Sequence, residues 1–461
     1  MDILKNKENL ISLAKNNEES SLAIDFTNDY LSLKGNAFGF SKSVISQFNS
    51  IYDFLEVDKS ISDLFLKKIV NTTENQSALH WELRGADNFF QSDLLSRVKN
   101  LKKNLLDKNI KNIITLGIGG SYEGPKLLIE SLTNSTEHVF NHFFISGSDP
   151  DELNECLASC ESKETIFIVS SKSMTTAETL QNYKLAYSWL SRERRLSDKD
   201  LLESFYAVTA NDLESKDLGF LAKNTFVFSK EIGGRYSIWS SISLPALLEI
   251  EDEFINFLSG ACKADKDLKK DSKYLNIIKT LSFIDIWNSN FLNKSNRVIL
   301  SYAWKLRSIT DYLQQLEMES LGKASSKDSI FSKTGQTIYG GYGPNAQHSY
   351  FQLLHQGTSQ TAIDMIYIEN ENKKNLIDSQ VAAQSDLFNS FHEEFKNTHI
   401  AVNSDVSVNL FKLNKLNAFN LGFLLASWEH KVFITAQMLQ INPFDQFGVE
   451  AGKRLAKKTN Q

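Results

Sequence analysis

The sequence predicts an α/β protein with two doubly wound domains, each a mostly parallel sheet flanked by helices, plus helical N- and C-terminal segments. Three observations predict it. Short β-branched runs such as NIITL (Asn112–Leu116) and TIFIV (Thr165–Val169) alternate with helical stretches, the pattern of a parallel sheet with crossover helices. The alternation gives way to helix over about residues 240–293 and resumes at RVILSY (Arg297–Tyr302). With 461 residues and only five prolines, the chain has the length for two or three domains and excludes long Pro-rich linkers.

Taken in order, residues 1–65 read as an amphipathic helical segment with a β-like passage near Leu22–Leu33. A first α/β domain covers 66–245. Its strands are Asn112–Leu116, His142–Ser146, Thr165–Val169, Phe205–Thr209 and Thr225–Phe228. Helices follow at Lys126–Leu132 and Ala177–Trp189. A helical connection covers 246–295. A second α/β domain, 296–440, holds RVILSY and AIDMIYI (Ala362–Ile368), and 441–461 forms a C-terminal helix and tail. In such sheets ligands bind in loops beyond the C-terminal strand ends.

Composition excludes several function classes. A net charge of −6 leaves no footprint for nucleic acid, and the Lys-rich segment Lys263–Lys273 is interleaved with Asp, as on a solvated helix face. Cys156, Cys160 and Cys262 are too few for a disulfide framework and do not make a zinc site. No metal and no cofactor is expected. The N-terminus lacks the pattern of a signal peptide. The apolar segment Phe419–Trp428 is too short and too interrupted to span a bilayer. The expected compartment is the cytoplasm, with no membrane partner.

Three strand-to-helix passages carry anion-binding features. Gly117-Ile118-Gly119-Gly120-Ser121 permits close backbone approach, and the amides of the following helix start favour an anion. It is neither G-x-G-x-x-G in the usual frame nor a P-loop, so a simple tight turn is the alternative. Ser170-Ser171-Lys172-Ser173-Met174-Thr175-Thr176 offers five hydroxyls and a lysine, where an N-cap needs one or two. Together the two loops favour a small phosphorylated ligand over a nucleotide. The third passage, Glu231–Trp239, sets Arg235 after two glycines at a helix start, suited either to neutralising developing negative charge or to a structural salt bridge.

The stretch Gln314–Thr358 carries the acid–base chemistry. Glu319 lies in QQLEMESLGK, where a helical pattern breaks at Gly322 and Lys323. His348 follows the break Gly343-Pro344-Asn345 and opens an apolar, helix-like run. Loops can aim a carboxylate and an imidazole into a cleft for proton transfer, and neither residue has metal-ligand spacing. His355, seven residues on, reads as a structural histidine. Near the C-terminus Glu450 and Lys453 are i,i+3 neighbours, for which a surface ion pair is the plain reading.

Taken together, GIGGSYEGP, SSKSMTTAETLQN, GGRYSIWSSISLP, QLEMESLGK, GPNAQHSYFQLLHQGT and INPFDQFGVEAGK resemble the glucose-6-phosphate isomerase family, in that family's order, over roughly residues 74–458. The resemblance implies two sugar-isomerase (SIS-type) domains, a phosphorylated hexose substrate and a homodimer with shared active sites. Carried over, Glu319 matches the base that moves a proton between C1 and C2. His348 matches the ring-opening histidine donated by the neighbouring subunit, and Lys453 the lysine that assists it. Arg235 matches the arginine that stabilises the cis-enediolate. Gly120, Ser121, Ser171, Lys172, Ser173 and Thr176 match sugar and phosphate contacts, Gln446 a substrate-contacting glutamine and Arg84 an arginine close to the site.

Departures from the family pattern include Leu321 for Asn, Ser173-Met174 for Thr-Phe and Phe447 for Trp. None removes a catalytic group. A non-catalytic sugar-phosphate sensor would keep the loops and need none of Glu319, Arg235, His348 and Lys453. An isomerase that also accepts mannose 6-phosphate differs by as little as one pocket contact.

Overall fold

Asn112–Leu116 and Thr165–Ser170 are buried at every position, as strands covered by helices on both faces must be. The computed structural model describes residues 3–16, 21–85, 89–134, 136–369, 375–390, 392–395, 399–403 and 406–459. Eleven strands run through them in chain order. These are β1 (Ala23–Thr27), β2 (Leu31–Asn36), β3 (Asn112–Leu116), β4 (Asn141–Ile145), β5 (Thr165–Ser170), β6 (Phe205–Thr209), β7 (Thr225–Val227), β8 (Asn296–Ser301), β9 (Thr337–Tyr342), β10 (Thr361–Ile368) and β11 (Val408–Leu413).

The chain forms two compact units, 79–259 and 1–78 with 260–461. In the first, five parallel strands lie in the order β4-β3-β5-β6-β7. The chain leaves β3 toward one side and returns on the other at β5, so β3 and β5 flank a topological switch point. One face packs a core of Ile114, Phe167, Val169, Tyr183, Ala186 and Phe205, in which Phe167 and Phe205 stack at 5.0 Å.

In the other unit the order is β1-β2-β11-β10-β8-β9. Strands β11, β10, β8 and β9 are parallel and repeat the same order around a switch between β8 and β10. The place beyond β11 is taken by β2, which pairs antiparallel with Leu413 opposite Leu31. Residues 1–65 are therefore not only helical: the β-like passage is a hairpin that enters the sheet. The buried helix Ala418–Leu439 and the helices Ser272–Asn290 and Ile309–Leu321 cover this unit.

Each strand expected from sequence is present, as are the helices Glu123–Leu132 and Ala177–Arg194. Strand β9 is not legible, because its sequence TIYGGY reads as a turn. Gly340 has φ +150° and a Cβ there would run into the Ile299 carbonyl, so glycine is required where β9 lies against β8. No described helix is long and apolar enough to cross a membrane.

Candidate active site

In unit 79–259 the loops expected to hold an anion gather at the C-terminal ends of β3 and β5. Gly119 takes φ +60°, which turns the chain out of β3 into the helix beginning at Glu123. A Cβ on Gly117 would stand 3.0 Å from Ser170 O, so the GIGGS loop and the Ser170–Thr176 loop run side by side. Gly120 is buried against the Gly234 carbonyl, with room for no side chain. Through that contact the Arg235 turn joins the first loop.

The second loop is shaped by its own hydroxyls. Ser171 Oγ accepts from Met174 N–H (3.1 Å) and lies 3.0 Å from Thr176 Oγ1. Ser173 Oγ accepts from Thr175 N–H and Oγ1–H at 3.2 and 2.8 Å. Met174, with φ +54°, is fully buried and holds the loop to the core. Lys172 is half-buried and Ser173 exposed. That internal bonding accounts for part of the hydroxyl richness.

Arg235 is buried in the 3-10 turn Gly234–Trp239, its guanidinium 5.4 Å from the Tyr236 ring centre. Arg84 ends a second turn, His80–Arg84, and its guanidinium lies 4.2 Å over Trp239. His80 packs on Tyr236 at 4.7 Å, and Leu79 N–H donates to Glu231 O at 3.2 Å. The two turns thus carry both buried arginines to one place.

In unit 1–78/260–461, Glu319 is half-buried in the last turn of helix Ile309–Leu321 and accepts from Gln315 Nε2 at 3.4 Å. The inner face of that helix is fastened by a buried charge cluster. Glu317 meets Arg297, accepts from Trp428 Nε1 and pairs with Lys431 at 2.8 Å. Asp285 pairs with Arg297 and, at 3.0 Å, with Lys431. Burial opposes ionisation of Asp285, but the two cations hold its carboxyl below the usual range. Burial lowers Lys431 to about 8. It raises Asp364, which accepts from Asn409 at 2.8 Å.

His348 is exposed, just past the short helix Gly343–Gln347 that follows β9. Helix Ile309–Leu321 instead meets the start of β9, where Gln314 donates to Ile338 O at 2.7 Å and the Met318 sulfur receives Ile338 N–H. Within one chain Glu319 and His348 are therefore attached at opposite ends of β9. Gln446 and Lys453 are exposed, and Lys453 pairs with Glu450 at 3.3 Å. His355 stacks on Phe388 at 4.5 Å and contacts Gln384 at 2.9 Å. Burial lowers its pKa, in keeping with a structural role.

Sequence reasoning passed over Lys323 and Asp445, which pair at 2.9 Å, although both stand inside the motif strings. Among the described residues no group of three or more His, Cys, Asp or Glu side chains is arranged to hold a metal ion.

The family model described as phosphoglucose isomerase matches residues 39–461. A relative named glucose-6-phosphate isomerase from Acinetobacter baylyi is 34% identical, with 91% of this chain and 84% of the relative covered. Another of that name, from Wigglesworthia glossinidia brevipalpis, is 32% identical over 91% and 84% of the two chains. The crystal structure of a glucose-6-phosphate isomerase from Chlamydia trachomatis is similar with a TM-score of 0.83 at 25% identity, covering 100% of this chain and 92% of that one. A hypothetical protein from Thermus thermophilus, at 20% identity and a TM-score of 0.71 over 90% and 97% of the chains, shares the fold. The motifs, the paired switch-point sheets and a family match across nearly the whole length agree: the chain is an enzyme of the phosphoglucose isomerase family.

Proposed function

We propose that this enzyme interconverts glucose 6-phosphate and fructose 6-phosphate by opening the sugar ring and moving a proton between C1 and C2 through a cis-enediolate. It would serve glycolysis and gluconeogenesis in the cytoplasm, as a homodimer whose subunits share active sites. The observation that carries the reading is the gathering of GIGGS, Ser170–Thr176 and the Arg235 turn at the C-terminal ends of β3 and β5. Backbone amides and hydroxyls there suit a phosphate monoester, and a buried guanidinium suits an oxyanion.

The chemistry calls for three further groups. A proton on carbon beside a carbonyl is weakly acidic, so a positioned carboxylate, Glu319, removes it, a contribution of about 10²- to 10⁴-fold. Charge that builds on O1 and O2 is stabilised by Arg235, and removing one such donor costs on the order of 3–4 kcal/mol. Ring opening needs one proton delivered to the ring oxygen and one taken from O1, work divided between His348 and Lys453. The phosphate, held by Ser121, Ser171, Lys172, Ser173 and Thr176, supplies binding energy that orients the reacting carbons. Gln446 and Arg84 complete the surroundings. The attachment of Glu319 and His348 at opposite ends of β9 supports donation of His348 by the other subunit.

The test is Glu319→Gln with fructose 6-phosphate in deuterated water. Binding should persist while deuterium incorporation at C2 disappears. Incorporation at the wild-type rate would reject the assignment.

A further inference from the structure

Helix Ile309–Leu321 and the segment leading to Lys453 meet through one side chain that no step above uses. Lys323 stands four residues after Glu319. Its ammonium reaches both the backbone carbonyl and the carboxylate of Asp445, the latter at 2.9 Å. Both side chains are largely out of water, 17% and 9% exposed, which makes the pair stronger than a surface contact. Lys323 is itself held, its carbonyl accepting from Thr334 Oγ1 at 2.7 Å.

Asp445 is held from a second side. Its other carboxylate oxygen accepts from Thr73 Oγ1 at 2.6 Å. Asn442 donates to Asn71 Oδ1 at 2.8 Å and to Thr73 at 2.7 Å, and its own Oδ1 receives Phe444 N–H at 2.9 Å. Phe444 packs on Phe433 at 6.1 Å. Residues 443–445 are buried, whereas 446–449 are exposed and precede helix Glu450–Thr459. Asp445 is thus clamped immediately ahead of Gln446 and the helix that carries Lys453.

We propose that Lys323 and Asp445 are positioning residues of the isomerase site. Their ion pair fixes where the Gln446–Lys453 element begins relative to the helix end that carries Glu319. The inference rests on the functional reading above, in which these groups act on one substrate. Neither side chain needs to touch that substrate. Displacement of about 1 Å in a reacting constellation costs up to about 10²-fold in rate, so losing the clamp should register in turnover.

The experiment compares the full-length enzyme with Lys323→Met, Lys323→Arg and Asp445→Asn. It reads kcat and KM for fructose 6-phosphate, the melting temperature, and amide hydrogen exchange across 440–459. Lys323→Met should lower kcat about 10-fold, change KM less, and speed exchange in 446–459. Lys323→Arg should recover much of kcat. Asp445→Asn, which keeps its carbonyl acceptors, should fall between and serves if Lys323→Met folds poorly. Unchanged exchange in 446–459 overturns the proposal, as does faster exchange or a lower melting temperature with kcat within twofold of wild type. A wild-type enzyme that fails to isomerise the sugar phosphate rejects the functional reading and this inference with it. An active wild type with unaltered variants rejects the positioning role alone.

Discussion

Gly120 lies so close to Gly234 that a single added carbon would overlap its carbonyl oxygen. The contact joins the loop after β3 to the turn that carries Arg235, and it is made by rigid backbone on both sides. Gly120→Ala should therefore displace the Arg235 turn and reduce kcat/KM by about 10²-fold or more. A steady-state assay checks it, with circular dichroism confirming that the sheets remain.

The roles proposed for His348 and Glu319 make different demands on the substrate. His348→Ala should impair turnover of the cyclic sugar phosphate by about 10²-fold and that of an open-chain analogue far less. Inactive Glu319→Gln and His348→Ala chains, mixed and reassociated, should regain activity, since some sites then pair two intact groups. Equal loss with both substrates would remove the ring-opening role, and mixtures that stay inactive would remove the shared site.

The cluster around Arg297 predicts a stability effect. Arg297→Met leaves Glu317, Asp285 and Asp364 with one cation, Lys431, in a buried setting. Removing one partner of a buried ion pair costs about 3–5 kcal/mol. Urea denaturation should report a loss of that size, and Glu319→Gln should not.

Glu249 predicts a pH dependence. Burial opposes its ionisation, but His142 at 2.9 Å and the N–H groups of Val139 and Phe140 at 3.0 Å outweigh this and lower its pKa. A carboxyl with a depressed folded pKa stabilises the fold above its ordinary value near 4.5, and that stability is lost as pH falls through the folded pKa. Glu249→Gln should cost about 2 kcal/mol at pH 7. The gap to wild type should narrow below about pH 4.5 in thermal melts recorded across pH.

Legibility followed chemistry. Strands β3, β5, β6 and β10 read clearly because burial on both sheet faces demands unbroken apolar runs, and the glycine- and hydroxyl-rich loops stood out as excess over what a turn or cap requires. Strand β9 hid behind its paired glycines, and β11 behind its alternating polar residues. The Lys323–Asp445 pair was invisible for a different reason. Its partners lie 122 residues apart, and nothing local in GK or FD says that they meet. The same holds for Arg297, whose partners come from two helices and strand β10.

Strand β2 pairs with β11, and beside that pairing Phe38 N–H donates to Ser407 Oγ across 369 residues. During synthesis at about 5–20 residues per second, the hairpin leaves the ribosome on the order of a minute or less before its partner strand exists. Residues 79–259 carry all five strands of their own sheet and can complete it meanwhile. The earliest β-structure made is among the last to find its place, so nascent chains should expose an unpaired hairpin edge that chaperones would have to shield.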